Sequence, residues 1–292
     1  MKNPTPTPKT FSKILFAVDA SAQSAAAADA VAAMAVPFRA EVLVLHVETD
    51  GGGFEDGVPA VRDLVEGIAK RLGERGVVAT TDVRTAPHGK TAQAIVEAVG
   101  ESGADLVALG SRGRSELGGL LFGSVSHQVL AGVHCPVLVV RPGHDQQPGA
   151  AIKRILLAVA GGDEVPHAVE AAAAVAGGSD AEVLVLHIRY LAVAEAMAWI
   201  EPDGQAEKLV AETVSQLQES GVAAQGRVAG PSSFIAHDIA SAAAEWDADL
   251  IVIGSRRVSE LVGLLENSVS HGVIHSADRP VLVAEGAGGA GS

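Results

Sequence analysis

The 292 residues are enough for two domains of ordinary size, and a composition that is 48% hydrophobic but 3% aromatic means that their cores are built from Ala, Val, Leu and Ile. A net charge of −14 speaks against binding nucleic acid through a broad electrostatic patch. No apolar run reaches the roughly 18 residues of a membrane span, and the single cysteine, Cys135, rules out an intrachain disulfide and fits a reducing, cytoplasmic compartment. The charge is uneven. Residues 1–146 hold 13 Lys and Arg against 16 Asp and Glu, a net of −3, whereas residues 147–292 carry −11.

Residues 1–10 are rich in Pro and Thr, lack the apolar core of a signal peptide, and are expected to form a disordered tail. Apolar runs then alternate with amphipathic or Ala-rich stretches. The pattern predicts strands near 13–18, 41–47, 77–84, 105–110 and 136–141, with helices near 21–35, 59–75, 90–101 and 124–133. Pro- and Gly-bearing residues 142–151 read as a linker. Strands follow near 153–159, 181–188, 222–229, 249–254 and 280–284, with helices near 164–176, 203–219, 232–245 and 268–276, before a small flexible tail at 286–292. Strands such as Val42–Val47 are apolar almost throughout, as expected when helices cover both faces of a parallel sheet. The fold class is therefore α/β: two tandem, doubly wound, five-stranded parallel-sheet domains of Rossmann-like type, at 11–141 and 152–285. The halves are copies of one another. Residues 181–188 repeat 40–47 at an offset of 141, and 249–256 repeat 105–112 at an offset of 144, so the second copy gains three residues between its second and fourth strands.

The most informative stretch is Gly110–Ser124, which reads G-x2-G-x9-G-S with Gly110, Gly113, Gly123 and Ser124 at the fixed positions. It links an apolar strand to the start of a helix. Glycines let backbone N–H groups approach an anion, and the uncompensated N–H groups and dipole of a helix N-terminus favour phosphate. Ser124 and Ser126 offer hydroxyl and backbone donors there, and Arg112 and Arg114 offer positive charge. In a doubly wound sheet the crevice lies where strand order reverses, which brings the ends of the first and fourth strands, Asp19 and Gly110, side by side.

These residues resemble the universal stress protein family, whose ATP-binding members carry G-x2-G-x9-G-[S/T]. The likeness extends to Lys13–Ser21 as first strand with its aspartate, to Ala40–Val47 as second strand and to Cys135–Val140 as last, and it covers both copies. The resemblance implies an adenine nucleotide alpha hydrolase-like fold and an ATP site in the first domain, with Mg2+ held mostly by phosphate and water. It implies that the backbone of Ala17, Val18 and Val47 frames the adenine, that Leu109 lies close to the nucleotide, and that Asp19 lies near base and ribose. Gly110, Arg112, Gly113, Gly123, Ser124, Val125 and Ser126 complete the site. It further implies a nucleotide-responsive regulator in stress or dormancy with a protein partner still to be identified. Its final strands, Val137–Val140 and Val281–Ala284, would pair the two domains as an internal pseudo-dimer, and whole chains could dimerise again. A slow ATPase or phosphotransferase and a nucleotide-free scaffold are the competing classes. No P-loop lysine or general base is recognisable, so no catalytic residue is assigned and any ATP hydrolysis should be weak.

The second copy looks dismantled. Ala160 stands where Asp19 stands, Arg257 replaces Gly113 and Asn267 replaces Gly123, whereas Gly254 and Ser268 remain. Several other features are set aside. Gly89-Lys90-Thr91 mimics the end of a P-loop but has Arg84 where the first glycine belongs. His271 and His275 are spaced i, i+4 without the Glu of H-E-x-x-H, and read as a helix-face pair, so no metal site is assigned. His46 and His187 read as hydrogen-bonded core histidines, Met197 and Trp199 as packing residues, and Cys135 as a buried, inert thiol.

Overall fold

The computed structural model describes residues 10–19, 22–50, 57–110, 123–140, 151–162, 164–194, 197–200, 204–255 and 269–285. The chain divides into two compact units, Phe11–Ala151 and the residues from Ile152 onward.

The first unit runs β1 (Lys13–Val18), α1 (Ala22–Ala35), β2 (Glu41–Thr49), α2 (Gly57–Glu74), β3 (Ala79–Ala86), α3 (Thr91–Ser102), β4 (Leu106–Gly110), α4 (Ser124–Gly132) and β5 (Val137–Val140). Its sheet has the order β3-β2-β1-β4-β5 and every pairing is parallel. The central strands are apolar because both faces are covered: Ile14, Leu15, Phe16, Leu106, Val107 and Ala108 are all fully buried. Burial of each of the larger of these side chains contributes about 1.5–3 kcal/mol. A 3-10 turn at Val36–Phe38, which the periodicity of α1 does not signal, places Phe38 edge-on against Phe11 with ring centroids 5.2 Å apart.

The second unit repeats the plan with β6 (Arg154–Ala158), α5 (Val165–Ser179), β7 (Glu182–Ala194), β8 (Met197–Ile200), α6 (Gln205–Glu219), β9 (Ala224–Ser232), α7 (Ile235–Glu245), β10 (Leu250–Ser255), α8 (Val269–Ser276) and β11 (Val281–Glu285). Parallel pairings give the order β9-β7-β6-β10-β11. This unit also has a feature not found among the described residues of the first. β7 runs on past the sheet to Ala194 and folds back as β8, antiparallel to it with Leu191 opposite Ile200. The net gain of three residues in the second copy falls in this part of the chain, and Met197 and Trp199 belong to β8.

Homologous positions repeat the same local physics. Asp105 accepts hydrogen bonds from the backbone N–H and hydroxyl of Ser12 (2.8 and 2.6 Å) and from Lys13 N–H (3.1 Å), tying the start of β4 to the start of β1. Asp249 does the same for β10 and β6 through the N–H groups of Lys153 and Arg154. Arg39 and Asp180, equivalent positions after α1 and α5, are both left-handed at φ 53°, a conformation that costs a side-chain-bearing residue about 1–2 kcal/mol. Cys135 is half-buried before β5 rather than buried, while Arg279, at the equivalent position before β11, is buried and donates from Nη1 to the carbonyls of Ala243 and Ala248. Among the described residues no helix is long and apolar enough to cross a membrane.

Candidate functional site

In the first unit the chain leaves β1 for β2 on one side and returns to β4 on the other. The helices following β1 and β4 therefore depart on opposite faces and leave a crevice at the carboxyl ends of these strands. A cavity of about 720 Å³ opens there, within the range of small-molecule sites. Ala17, Val18 and Asp19 reach it from β1, Val47 from β2, Leu109 and Gly110 from β4, and Gly123, Ser124, Val125 and Ser126 from the start of α4. Residues that are up to about a hundred positions apart are thus brought into one cavity. Arg112 and Gly113 lie outside the described residues.

The cavity has members that the motif does not reveal. Glu48, Thr49, His88, Gly89 and Thr91 line it as well. The Gly89–Thr91 segment is no P-loop, yet it sits at the N-terminus of α3 on the same crevice, because β3 ends on the same edge of the sheet as β1 and β4. That topological rule, and not the motif, was the signal that could have found it.

Hydrogen bonds hold two of the lining side chains. Ser24, in the first turn of α1 and 3% exposed, donates from Oγ to Asp19 Oδ1 at 2.7 Å and accepts the Asp19 backbone N–H at 3.1 Å. The carboxylate at the end of β1 is thereby oriented by a buried hydroxyl. His46 Nδ1 lies 2.9 Å from the carbonyl of Val18. A carbonyl only accepts, so Nδ1 is the donor. His187 makes the same bond to Val159 at 2.8 Å in the second unit, which makes this a strand-to-strand brace common to both copies.

The start of α4 is suited to an anion. Its N-cap, Gly123, is extended (φ −73°, ψ 160°), makes no side-chain cap, and is followed by no acidic residue in the first turn. The first N–H groups of a helix lack intrahelical partners and carry the positive end of its dipole. Here they belong to Ser124, Val125 and Ser126, all of which line the cavity.

The glycines are informative through what they do not do. Among the described residues, a Cβ on Gly123 would meet nothing within 4 Å, and one on Gly110 would meet only Ser24, at 3.8 Å. Neither residue has a positive φ. Backbone geometry, and packing among the described residues, would accept a side chain at either position. What a side chain would take away is cavity.

At the carboxyl ends of β6 and β10 in the second unit, Glu164 takes up space that the first unit leaves open beside Gly110 among the described residues. Ala160 and Val165 stand where Asp19 and Ser24 stand, so the hydrogen-bonded pair is lost as a pair. Glu164, at the N-cap of α5 and 8% exposed, packs its side chain against the end of β10. A Cβ on Gly254 would lie 2.7 Å from Glu164 Cγ, and one on Gly162 would lie within 3 Å of the carboxylate. Gly254, the surviving first glycine of the motif, is thus required by packing in this unit. Ser270, equivalent to Ser126, donates from Oγ to the Gly254 carbonyl at 3.0 Å. Arg257, Asn267 and Ser268 lie outside the described residues.

Comparison with known proteins agrees with this duplicated plan. The sequence signature of the universal stress protein family matches residues 10–141 and again 151–285. A universal stress protein of Mycolicibacterium smegmatis is 28% identical over 294 residues, covering 92% of this chain and 96% of its own. Universal stress protein YxiE of Bacillus subtilis is 33% identical over 150 residues, 45% of this chain and 99% of its own. Among solved structures, a universal stress protein from Archaeoglobus fulgidus superposes with a TM-score of 0.76 at 20% identity, covering 94% of this chain and 98% of its own, a likeness of fold. Matched twice along its length and over nearly its whole extent by a tandem relative, the chain belongs to the universal stress protein family as a two-domain member.

Proposed function

We propose that the first unit binds ATP with its Mg2+ in the crevice between β1 and β4, that the second unit binds none, and that the chain acts as a nucleotide-responsive regulator of a stress response. The observation that carries this reading is the contrast between the 720 Å³ crevice of the first unit and the Glu164 side chain packed against Gly254 in the second. In this reading the backbone of Ala17, Val18 and Val47 frames the base, and Leu109 packs close to the nucleotide. Asp19, oriented by Ser24, receives the ribose or base edge. The N–H groups at the start of α4, with the hydroxyls of Ser124 and Ser126, hold the phosphates, while Gly110, Gly113 and Gly123 keep their path clear and Arg112 adds positive charge. Mg2+ needs no dedicated protein cage, since phosphate oxygens and water supply most of its ligands. The −11 charge of the second half works against a second polyanion.

The test is equilibrium binding of ATP, AMP and cyclic AMP, with and without Mg2+, to nucleotide-stripped chain and to Asp19→Ala. The proposal expects ATP to bind best in the presence of Mg2+ and Asp19→Ala to weaken it about tenfold or more. Equal binding of ATP by both proteins would reject the assigned site. Preference for a monophosphate would reject the assignment of the α4 start to a triphosphate.

A further inference from the structure

The last turns of α8 carry a pair of side chains that the nucleotide reading does not use. His271 and His275 are one turn apart, both half-buried, with ring centroids 4.2 Å apart and planes at 60°. Their Nε2 atoms lie 2.9 Å from each other. Spacing alone reads as a helix-face pair, but this distance asks for more. Two imidazole nitrogens that face each other so closely need an electrophile between them, because two lone pairs repel. A proton supplies it when one ring donates and the other accepts, and a metal ion supplies it when both rings are unprotonated.

The geometry selects among metals. With metal–nitrogen bonds of about 2.0–2.1 Å, nitrogens 2.9 Å apart subtend about 90° at the ion, the cis angle of a square-planar or octahedral centre, whereas tetrahedral zinc would need them about 3.3 Å apart. The scaffold is rigid at this point, since Val273 and Ile274, between the two histidines in sequence, are buried. The electrostatics also favour a cation: His275 lies in the last turn, where the helix dipole is negative, and the second half of the chain carries a net charge of −11.

We propose that His271 and His275 chelate a late first-row divalent cation, copper(II) or nickel(II) in preference to zinc, through their Nε2 atoms, with water or other donors filling the remaining positions. Because the ion takes the place of the shared proton, binding weakens as pH falls through the imidazole range near about 6.5. Nothing in this site depends on the nucleotide.

Chelator-treated full-length chain is titrated calorimetrically with nickel(II) alone and with zinc(II) alone, and its copper(II) adduct is examined by electron paramagnetic resonance. The expected result is one nickel ion per chain bound tighter than zinc, two imidazole nitrogens in the copper spectrum, and a loss of about tenfold or more in nickel affinity in both His271→Ala and His275→Ala. His237→Ala, which removes an exposed histidine on α7, should behave as the parent. Circular dichroism and melting temperature monitor folding, and His275→Gln supplies a second variant of similar size. Nickel binding unchanged in the folded His271 and His275 variants, or zinc bound more tightly than nickel, would overturn the proposal.

Discussion

The two units answer the same topological problem in opposite ways. Each has a strand-order reversal, between β1 and β4 in the first and between β6 and β10 in the second, and each therefore has a crevice that something must fill. In the first unit, Asp19, held by Ser24, lines the crevice together with Gly110 and Gly123, and solvent or a ligand can fill it. In the second, Glu164 packs from the start of α5 against Gly254, where the first unit has open space beside Gly110. A surviving motif glycine is therefore no sign of a surviving site: Gly110 leaves room, whereas Gly254 is small because a side chain already occupies the room. The same amino acid at the same fold position answers to ligand space in one copy and to packing in the other.

This contrast can be broken at several points. The largest effect is expected for Gly123→Arg. Among the described residues its Cβ meets nothing within 4 Å, so stability should hold while nucleotide binding falls about a hundredfold or more, read by titration alongside a thermal melt. A matched pair comes next. Gly254→Ala forces a Cβ into the Glu164 side chain and should cost about 1–3 kcal/mol in urea unfolding, whereas Gly110→Ala should stay within about 0.5 kcal/mol of the parent. Equal costs would show that the two crevices do not differ in packing. A smaller change is expected for Ser24→Ala, which leaves Asp19 in place but removes the hydroxyl that orients it. Nucleotide affinity should drop about fivefold, less than additively with Asp19→Ala in a double-mutant cycle.

The smallest effect concerns Glu207, whose carboxylate accepts hydrogen bonds from its own backbone N–H and from that of Gly204 at 2.7 Å, and is held below the ordinary carboxylate value of 4.5. A carboxylate with a depressed folded-state pKa contributes stability above its unfolded value and loses it as pH falls through the folded one. The α6 start should thus loosen only below about pH 4.5, and Glu207→Gln should flatten that acid limb of the stability profile in urea unfolding.

Much of this architecture was legible in the sequence, for reasons visible in particular residues. Strands buried on both faces, such as β1 and β10, must be apolar throughout, and the helices between them are long enough to show their period. The crevice was legible because topology fixes which strand ends meet: Asp19, Val47 and Gly110 fall at strand ends and Ser124 at the start of α4 beside them. The β7–β8 hairpin was not. Tyr190–Ile200 is apolar and Ala-rich without alternation, so nothing in it distinguishes a returning strand from a helix or a packed loop. Glu164 and Ser24 were also hidden. A glutamate at the start of a helix reads as a solvated partner of the dipole, and a serine in an Ala-rich helix reads as neutral, although long-range packing buries both.

The central claim is that one crevice is open and its copy is closed, and isothermal titration of nucleotide-stripped, full-length chain with Mg-ATP tests it most directly through stoichiometry. The account predicts one ATP per chain, abolished by Gly123→Arg and untouched by Glu164→Gln. Two ATP per chain, or one that survives Gly123→Arg, would contradict it.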